Sequence, residues 1–320
     1  MVEERIEPDI RHWRANPVLD LVQGAGRTNG MNRASPRAQG ARSEAPGANG
    51  IWRRVATGLA VLHLSGCATP SDSIVDRIQE LKLSHATVTG TKYRHLVAQA
   101  EVADHGPIHI YVEHDGVPWA RPDVVSNDPT PRYPLALEMM ARDAGNRVYL
   151  GRPCYFGLKD DPGCSARLWT DARYSDEVVR SMAEAVNRIV ATRRKSDAVV
   201  LIGYSGGGTI TWLMAKHIPA TTAVVTVASN LNVAAWTTLH TFTPLSGSLD
   251  PAKEAPLPQH IRQVHLVGGR DSNVPPALTR SVALRQAATK VIEMPAFDHV
   301  CCWLERWPGL LQNALSDTPE

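Results

Sequence analysis

From about residue 88 onward, short apolar runs alternate with longer segments of helical periodicity. His95–Ala103, Pro107–Glu113 and Arg147–Leu150 are short runs that predict strands. Tyr174–Arg193 sets Val178, Met182, Ala185, Ile189 and Val190 on one face of a 3.6-residue period, which predicts an amphipathic helix. Ala198–Ile202 reads as a continuous buried strand and Gly206–His217 as a helix. Strands are then expected at Ala223–Ala228, Gln263–Val267 and Lys290–Glu293, with a Trp- and Leu-rich helix over Val300–Leu315 closing the chain. Strands that alternate with helices predict parallel βαβ units. Strands that are apolar at every position predict a sheet covered on both faces. The expected fold class is therefore α/β: one domain over 88–320, a doubly wound, mostly parallel sheet with helices on both faces.

The front of the chain follows a different rule. Residues 24–50 are rich in Gly, Arg, Ala, Ser and Pro without apolar periodicity, the composition of a segment that cannot build a core. Arg53-Arg54, the mostly apolar run Val55–Leu64 and the tetrad Leu64-Ser65-Gly66-Cys67 then follow the three-part layout of a secretory signal. The run is too short to span a bilayer, which takes about 20 apolar residues; a short buried helix is the competing reading. Leu-Ser-Gly-Cys resembles the lipobox of bacterial lipoproteins. That resemblance implies that the signal is cut before Cys67, that Cys67 is acylated, and that the protein is anchored by lipid to a bacterial membrane, facing the periplasm. Several acyl chains anchor stably where one is marginal. Sixty-six residues precede this cysteine, more than the roughly 15–30 of a signal peptide. A start codon assigned too far upstream, with Met31 or a position near Ile51 as the true start, would account for the excess. The organisation expected is thus a leader and signal over 1–66, a linker over 67–87 and the domain from 88.

Composition narrows the picture further. The 320 residues are 43% hydrophobic and 21% charged, as in a globular protein, which excludes a collagen-like, disordered or polytopic membrane chain. Residues 1–66 carry nine arginines, no lysine and six acids, so the excess positive charge of a chain whose net is +2 lies in the leader. Nothing in that balance points to a nucleic-acid partner. Five cysteines suit an oxidising compartment. Cys154 and Cys164 flank a ten-residue step through a Pro-, Gly- and Asp-rich loop and are expected to pair. Cys301 and Cys302 are expected as two buried apolar thiols at a helix start. No His/Cys spacing matches a zinc site, and no metal or cofactor is expected.

The strongest local motif is Gly203-Tyr204-Ser205-Gly206-Gly207, a G-x-S-x-G between a buried strand and a helix, the context it requires. Small residues at 203 and 207 leave room for a sharp turn that lifts the Ser205 hydroxyl above the sheet. The Gly206 N–H, at the helix start, faces a developing oxyanion. A phosphate-binding glycine loop is the competitor, but no Gly-Lys-Ser/Thr follows and no G-x-G-x-x-G is present. Serine needs a base and a group to orient that base. Asp271 follows the strand at 263–267, and His299 lies between the last strand and the terminal helix, so Ser205, Asp271 and His299 stand in the order nucleophile, acid, base. Asp298, adjacent to His299, is the rival acid.

With these motifs in this order, residues 88–318 resemble the α/β-hydrolase superfamily. The resemblance implies Ser205 as nucleophile, His299 as general base and acid, and Asp271 as the carboxylate that orients it. His114-Asp115-Gly116 ends an early strand where lipases and esterases of the superfamily carry His-Gly-Gly. It departs from that pattern, and the Asp115 backbone N–H, with Gly116 next, is the expected second oxyanion donor. His114–Trp119 and Asp128–Arg132, together with Gly151-Arg152-Pro153-Cys154 and Arg173-Tyr174-Ser175, are similar to segments of uncharacterised bacterial lipoprotein hydrolases. An insertion over Ser229–Arg262, bearing Trp236, Leu239 and Phe242, stands where a loop either roofs the pocket or packs its aromatics against the sheet. The expected function is a lipid-anchored serine hydrolase acting on a small-molecule or lipid-like carboxylic ester, with thioesters and amides behind. A non-catalytic envelope lipoprotein that keeps the fold for binding, and a cofactor-free dioxygenase or haloperoxidase using the same triad, are the alternatives.

Overall fold

The computed structural model describes residues 69–100, 106–193 and 198–316, all within a unit spanning Leu64–Glu320. The leader and Cys67 lie outside the described residues. Eight strands form one sheet: β1 (Ser84–Thr89), β2 (Arg94–Gln99), β3 (Ile108–Val112), β6 (Asn146–Leu150), β7 (Val199–Tyr204), β8 (Thr221–Val227), β9 (Arg262–Gly268) and β10 (Thr289–Met294). A separate two-stranded hairpin pairs β4 (Trp119–Arg121) with β5 (Val124–Val125). The order across the sheet is β1-β2-β6-β3-β7-β8-β9-β10. β2 pairs antiparallel with both β1 and β6, and every pair from β6 to β10 is parallel.

Parallel strands need crossovers, and the helices supply them. They are α1 (Pro70–Glu80), α2 (Leu135–Ala141), α3 (Asp176–Ala191), α4 (Gly206–Met214), α5 (Val233–Leu239), α6 (Pro276–Ala283), α7 (Trp303–Arg306) and α8 (Gly309–Leu315). α3 buries Val178, Met182, Ala185 and Ile189, the face its periodicity predicts. All six residues of β7 are buried. This is the α/β architecture expected. No helix among the described residues is long and apolar enough to cross a membrane.

Two readings require correction. The expected linker over 67–87 is structured from residue 69: α1 is closed by a capping box between Thr69 and Asp72, opens with Pro70 and buries Ile74 and Ile78, four residues apart. β1 was missed because it is an edge strand with no buried residue, so it carries no alternation. The single closing helix over Val300–Leu315 is broken into α7 and α8. Pro308 has no N–H to continue the ladder, and Trp307 before it is extended, at ψ 134°.

Two buried histidines help hold the layers together as neutral rings. His95 joins the Gly151 carbonyl at 3.0 Å and Ser181 Oγ at 2.9 Å, and His265 joins Thr226 Oγ1 at 2.8 Å. Burial lowers both to about 4.

Candidate active site

Parallel strands deliver their C-terminal ends to one edge of the sheet, and the candidate residues all follow such ends. After β7 the chain reverses into α4 at Ser205, which adopts φ 52° and ψ −122°. A non-glycine residue rarely adopts that conformation, and it costs about 1–3 kcal/mol. Glycine at 203 makes the turn possible, because a Cβ there would run into the Gly207 carbonyl group. The Ser205 N–H is held by the Val227 carbonyl at 2.9 Å, tying the turn to β8.

Asp271 leaves the turn after β9. Its Oδ1 accepts the N–H groups of Asn273 at 2.9 Å and Val274 at 2.7 Å. Its Oδ2 lies 2.8 Å from His299 Nδ1, and the carboxylate is fully shielded from solvent. His299 follows β10, with Nε2 at 3.1 Å from Ser205 Oγ. Its carbonyl accepts the Tyr204 hydroxyl at 3.0 Å and the Trp303 indole N–H at 3.2 Å, which fixes the ring's base from both sides. Ser205, His299 and Asp271 are therefore brought together in one hydrogen-bonded line. Asp298 is not part of it: its Oδ1 accepts the N–H groups of Val300 at 2.8 Å and Cys301 at 2.6 Å, as a turn former does.

The oxyanion side follows from accounting for backbone donors. In the loop after β3, the His114 N–H reaches Glu113 Oε1 at 3.2 Å, the Gly116 N–H reaches His114 Nδ1 at 3.1 Å, and the Val117 N–H reaches the Pro129 carbonyl at 2.9 Å. Only the Asp115 N–H has no partner among the described residues. Gly116, the reserve donor in the sequence reading, is corrected on this point: its N–H is committed to His114. Gly206 is the first residue of α4, so its N–H has no partner within the helix.

The loop carries buried titratable groups. Glu113 accepts the N–H groups of Ala136 at 2.9 Å and Leu137 at 3.3 Å at the start of α2, and burial pushes it up to about 8. His114 donates from Nε2 to the Tyr133 carbonyl at 3.2 Å, and burial lowers it to about 4. His95, His114 and His265 are thus neutral when folded, whereas in the unfolded chain they take up protons near 6.5. Their contribution is complete above pH 6.5 and is lost as pH falls to 4, about 3 kcal/mol for each. Glu113 acts in the opposite sense between 4.5 and 8, but one glutamate does not offset three histidines. Thermal melts should show the midpoint falling steeply from pH 6.5 to 4; a flat profile there would contradict the neutral-ring assignment.

The Asp115 side chain, readable from sequence as that of a turn former, is engaged over a longer range. Its Oδ1 pairs with Arg152 Nη1, and its Oδ2 accepts Arg173 Nη1 at 3.0 Å and the Tyr174 hydroxyl at 2.6 Å. Burial alone would raise this carboxyl, but the two guanidiniums and the hydroxyl hold it well below the usual carboxylate range. Arg152, Arg173 and Tyr174 lie in the Gly-Arg-Pro-Cys and Arg-Tyr-Ser segments. Their grouping around Asp115 could not be found by spacing, because 37 and 58 residues separate the charged partners.

Cys154 and Cys164 are joined by a disulfide across Cα atoms 5.6 Å apart, two residues beyond Arg152. A loop of this size contributes about 3 kcal/mol. The paired Cys154→Ser and Cys164→Ser variant should unfold at lower urea by that amount, as read by circular dichroism. Cys301 and Cys302 correct the expectation of two buried thiols: Cys301 is exposed and Cys302 half-buried. The insertion forms α5, whose Trp236 indole N–H and the following His240 Nε2 both reach the Asn273 carbonyl, at 3.1 and 2.7 Å. No cluster of metal-ligating side chains occurs among the described residues.

No family model matches this chain, and no curated protein is similar to it in sequence. Its likeness is to solved structures. An esterase from Pyrococcus furiosus superposes with a TM-score of 0.51 at 11% identity, covering 74% of this chain and 92% of that one. A membrane phospholipase A, described as a novel bacterial virulence factor, superposes with a TM-score of 0.50 at 13% identity, covering 76% and 91%. At these identities the likeness is one of fold.

Proposed function

We propose that this chain, which has the α/β-hydrolase fold, is a serine hydrolase that cleaves carboxylic esters through an acyl-enzyme. The observation that carries the reading is the line from Asp271 Oδ2 through His299 to Ser205 Oγ, at 2.8 and 3.1 Å. In this reading Ser205 Oγ attacks the ester carbonyl carbon while His299 Nε2 takes its proton, and Asp271 stabilises the imidazolium. Negative charge gathers on the former carbonyl oxygen, where the N–H groups of Asp115 and Gly206 receive it. Collapse breaks the ester C–O bond; the alcohol leaves with the proton from His299. Water then repeats the cycle, with His299 as base, and releases the acid. Thioesters and small amides are the next substrates.

Labelling with a fluorophosphonate, followed by peptide mass spectrometry, tests the reading. A covalent adduct on Ser205 and hydrolysis of p-nitrophenyl esters are expected, and a series of increasing acyl length sets the preferred chain. Absence of both favours the binding lipoprotein that keeps the fold without turnover.

The bacterial envelope location is part of the same proposal. It is supported by the signal-like run ending in Leu64-Ser65-Gly66-Cys67 and by the Cys154–Cys164 disulfide, which suits an oxidising compartment. Mass spectrometry of membrane-fraction protein should find an acylated Cys67 at the amino terminus. An intact leader with an unmodified Cys67 would sink the anchor and leave the hydrolase.

A further inference from the structure

Asp115 poses a chemical problem. In the proposed reaction its peptide N–H is an oxyanion donor, yet its side chain brings a negative charge beside the place where negative charge must develop. A Cβ on Gly206 would run into Asp115 Oδ1 and stand 2.6 Å from the Tyr174 hydroxyl, so the carboxylate lies directly on the residue after the nucleophile. A glycine or alanine at 115 would supply the same N–H without the repulsion.

The surroundings answer the problem. Arg152, 1% exposed, and Arg173, 6% exposed, bring two positive charges against one negative, so the group as a whole is cationic. Each contact also ties a different part of the chain to the loop. Arg152 Nη2 donates to the Arg173 carbonyl at 2.9 Å, and Arg173 Nε donates to the Thr170 carbonyl at 2.7 Å, so each guanidinium is also anchored to the backbone of the 170–173 segment. The Arg152 guanidinium lies 5.4 Å from the ring centres of both Tyr155 and Tyr174. The Tyr155 hydroxyl donates to the Asp115 carbonyl at 3.0 Å. The side chain and the carbonyl of Asp115 are therefore both held, and its N–H is the one polar group of the residue left without a partner among the described residues.

Stability is a weak explanation for such a cluster. Replacing buried ion pairs with well-packed apolar groups is often neutral or stabilising, so a fold in need of stability alone has no call for them. Preorganisation is the stronger explanation: donors aimed in advance at a developing charge contribute most to a transition state, and a displacement of about 1 Å costs about 100-fold in rate.

We propose that Asp115, Arg152, Arg173 and Tyr174 form a buried charged clamp that aims the Asp115 N–H at the oxyanion and leaves a net positive charge behind it. The side chains are positioning residues that act on the transition state and not on substrate binding. The proposal rests on Ser205 being the nucleophile.

The test uses the full chain and p-nitrophenyl esters, with kcat normalised to the fraction of molecules that take a fluorophosphonate label. Tyr174→Phe removes one bond to the carboxylate and leaves every charge in place. The double variant Asp115→Asn with Arg173→Gln removes one charge of each sign, so the net charge persists and is carried by Arg152 alone. A trifluoromethyl ketone, whose hemiketal oxygen occupies the oxyanion position, reports transition-state affinity. Tyr174→Phe should lower kcat about tenfold and the double variant about 100-fold, with KM within twofold of wild type and the inhibitor weakened by the same factors. A purely structural cluster would instead lower the melting point and the labelled fraction while kcat per labelled site stayed at the wild-type value; that result overturns the clamp. A loss confined to KM overturns it also. A wild-type protein that takes no label and cleaves no ester removes the nucleophile itself, and the clamp with it.

Discussion

Ser205→Ala is expected to remove fluorophosphonate labelling and to lower kcat by about 10⁴- to 10⁶-fold, leaving the residual rate that substrate binding and the oxyanion donors provide without a nucleophile. The fold should survive, because the hydroxyl's partner among the described residues is His299, at 3.1 Å, and the turn is held by the backbone bond to Val227. The same position allows a second comparison. At φ 52° and ψ −122°, alanine keeps the backbone strain that serine bears, whereas glycine adopts the turn freely. Ser205→Gly should therefore melt above Ser205→Ala, by an amount corresponding to about 1 kcal/mol or more. Equal activity in Ser205→Ala and wild type would contradict the acyl-enzyme; a lower melting point for the glycine variant would contradict the strain.

Asp271→Asn is expected to lower kcat about 10⁴-fold with little change in KM. The carboxylate accepts three bonds: Asn273 N–H and Val274 N–H on Oδ1, and His299 Nδ1 on Oδ2. An asparagine has one oxygen to offer. With that oxygen toward the two backbone donors, its NH₂ faces Nδ1 and stabilises the tautomer with the proton on Nε2, which cannot take a proton from Ser205. With the oxygen turned toward His299, the NH₂ confronts two N–H groups, leaving buried donors without acceptors at about 1–3 kcal/mol. The first arrangement keeps the structure and loses the base, so a rate loss of this size with a melting point near wild type is the expected pair of results. Activity retained in Asp271→Asn would transfer the orienting role elsewhere; Asp298 is bonded to the Val300 and Cys301 N–H groups through Oδ1 and not to the His299 ring.

The triad was legible in the sequence because each member is attached to a local signal. Ser205 stands in a glycine-flanked turn between an apolar run and a helix, and Asp271 and His299 follow strands in the expected order. The strands of the parallel half were legible for a similar reason, since full burial writes itself as an unbroken apolar run. Elements without that imprint were missed. β1 is solvent-exposed, and α1 announces itself only through the Thr69–Asp72 cap and two isoleucines. α2 takes its N-terminal hydrogen bonds from Glu113, a residue 23 positions upstream of Ala136. The clamp around Asp115 was illegible for the same cause at longer range. In the sequence Arg152 and Arg173 are only members of the Gly-Arg-Pro-Cys and Arg-Tyr-Ser segments; the fold buries them against a carboxylate from another strand end. Local chemistry is written locally; the groups that aim it are assembled by topology.

The tie between α5 and the acid loop bears on how substrate enters. Trp236 and His240 both donate to the carbonyl of Asn273, two residues from Asp271, whose own carboxylate holds the Asn273 N–H. An upward swing of α5 would thus tug at the very peptide that steadies the acid. Displacement of α5 and a settled acid loop are opposed in this arrangement, so in the proposed hydrolase the insertion is a fixed wall and not a moving lid. Turnover should begin without a lag and rise smoothly with dissolved ester, with no jump at the concentration where the ester forms micelles.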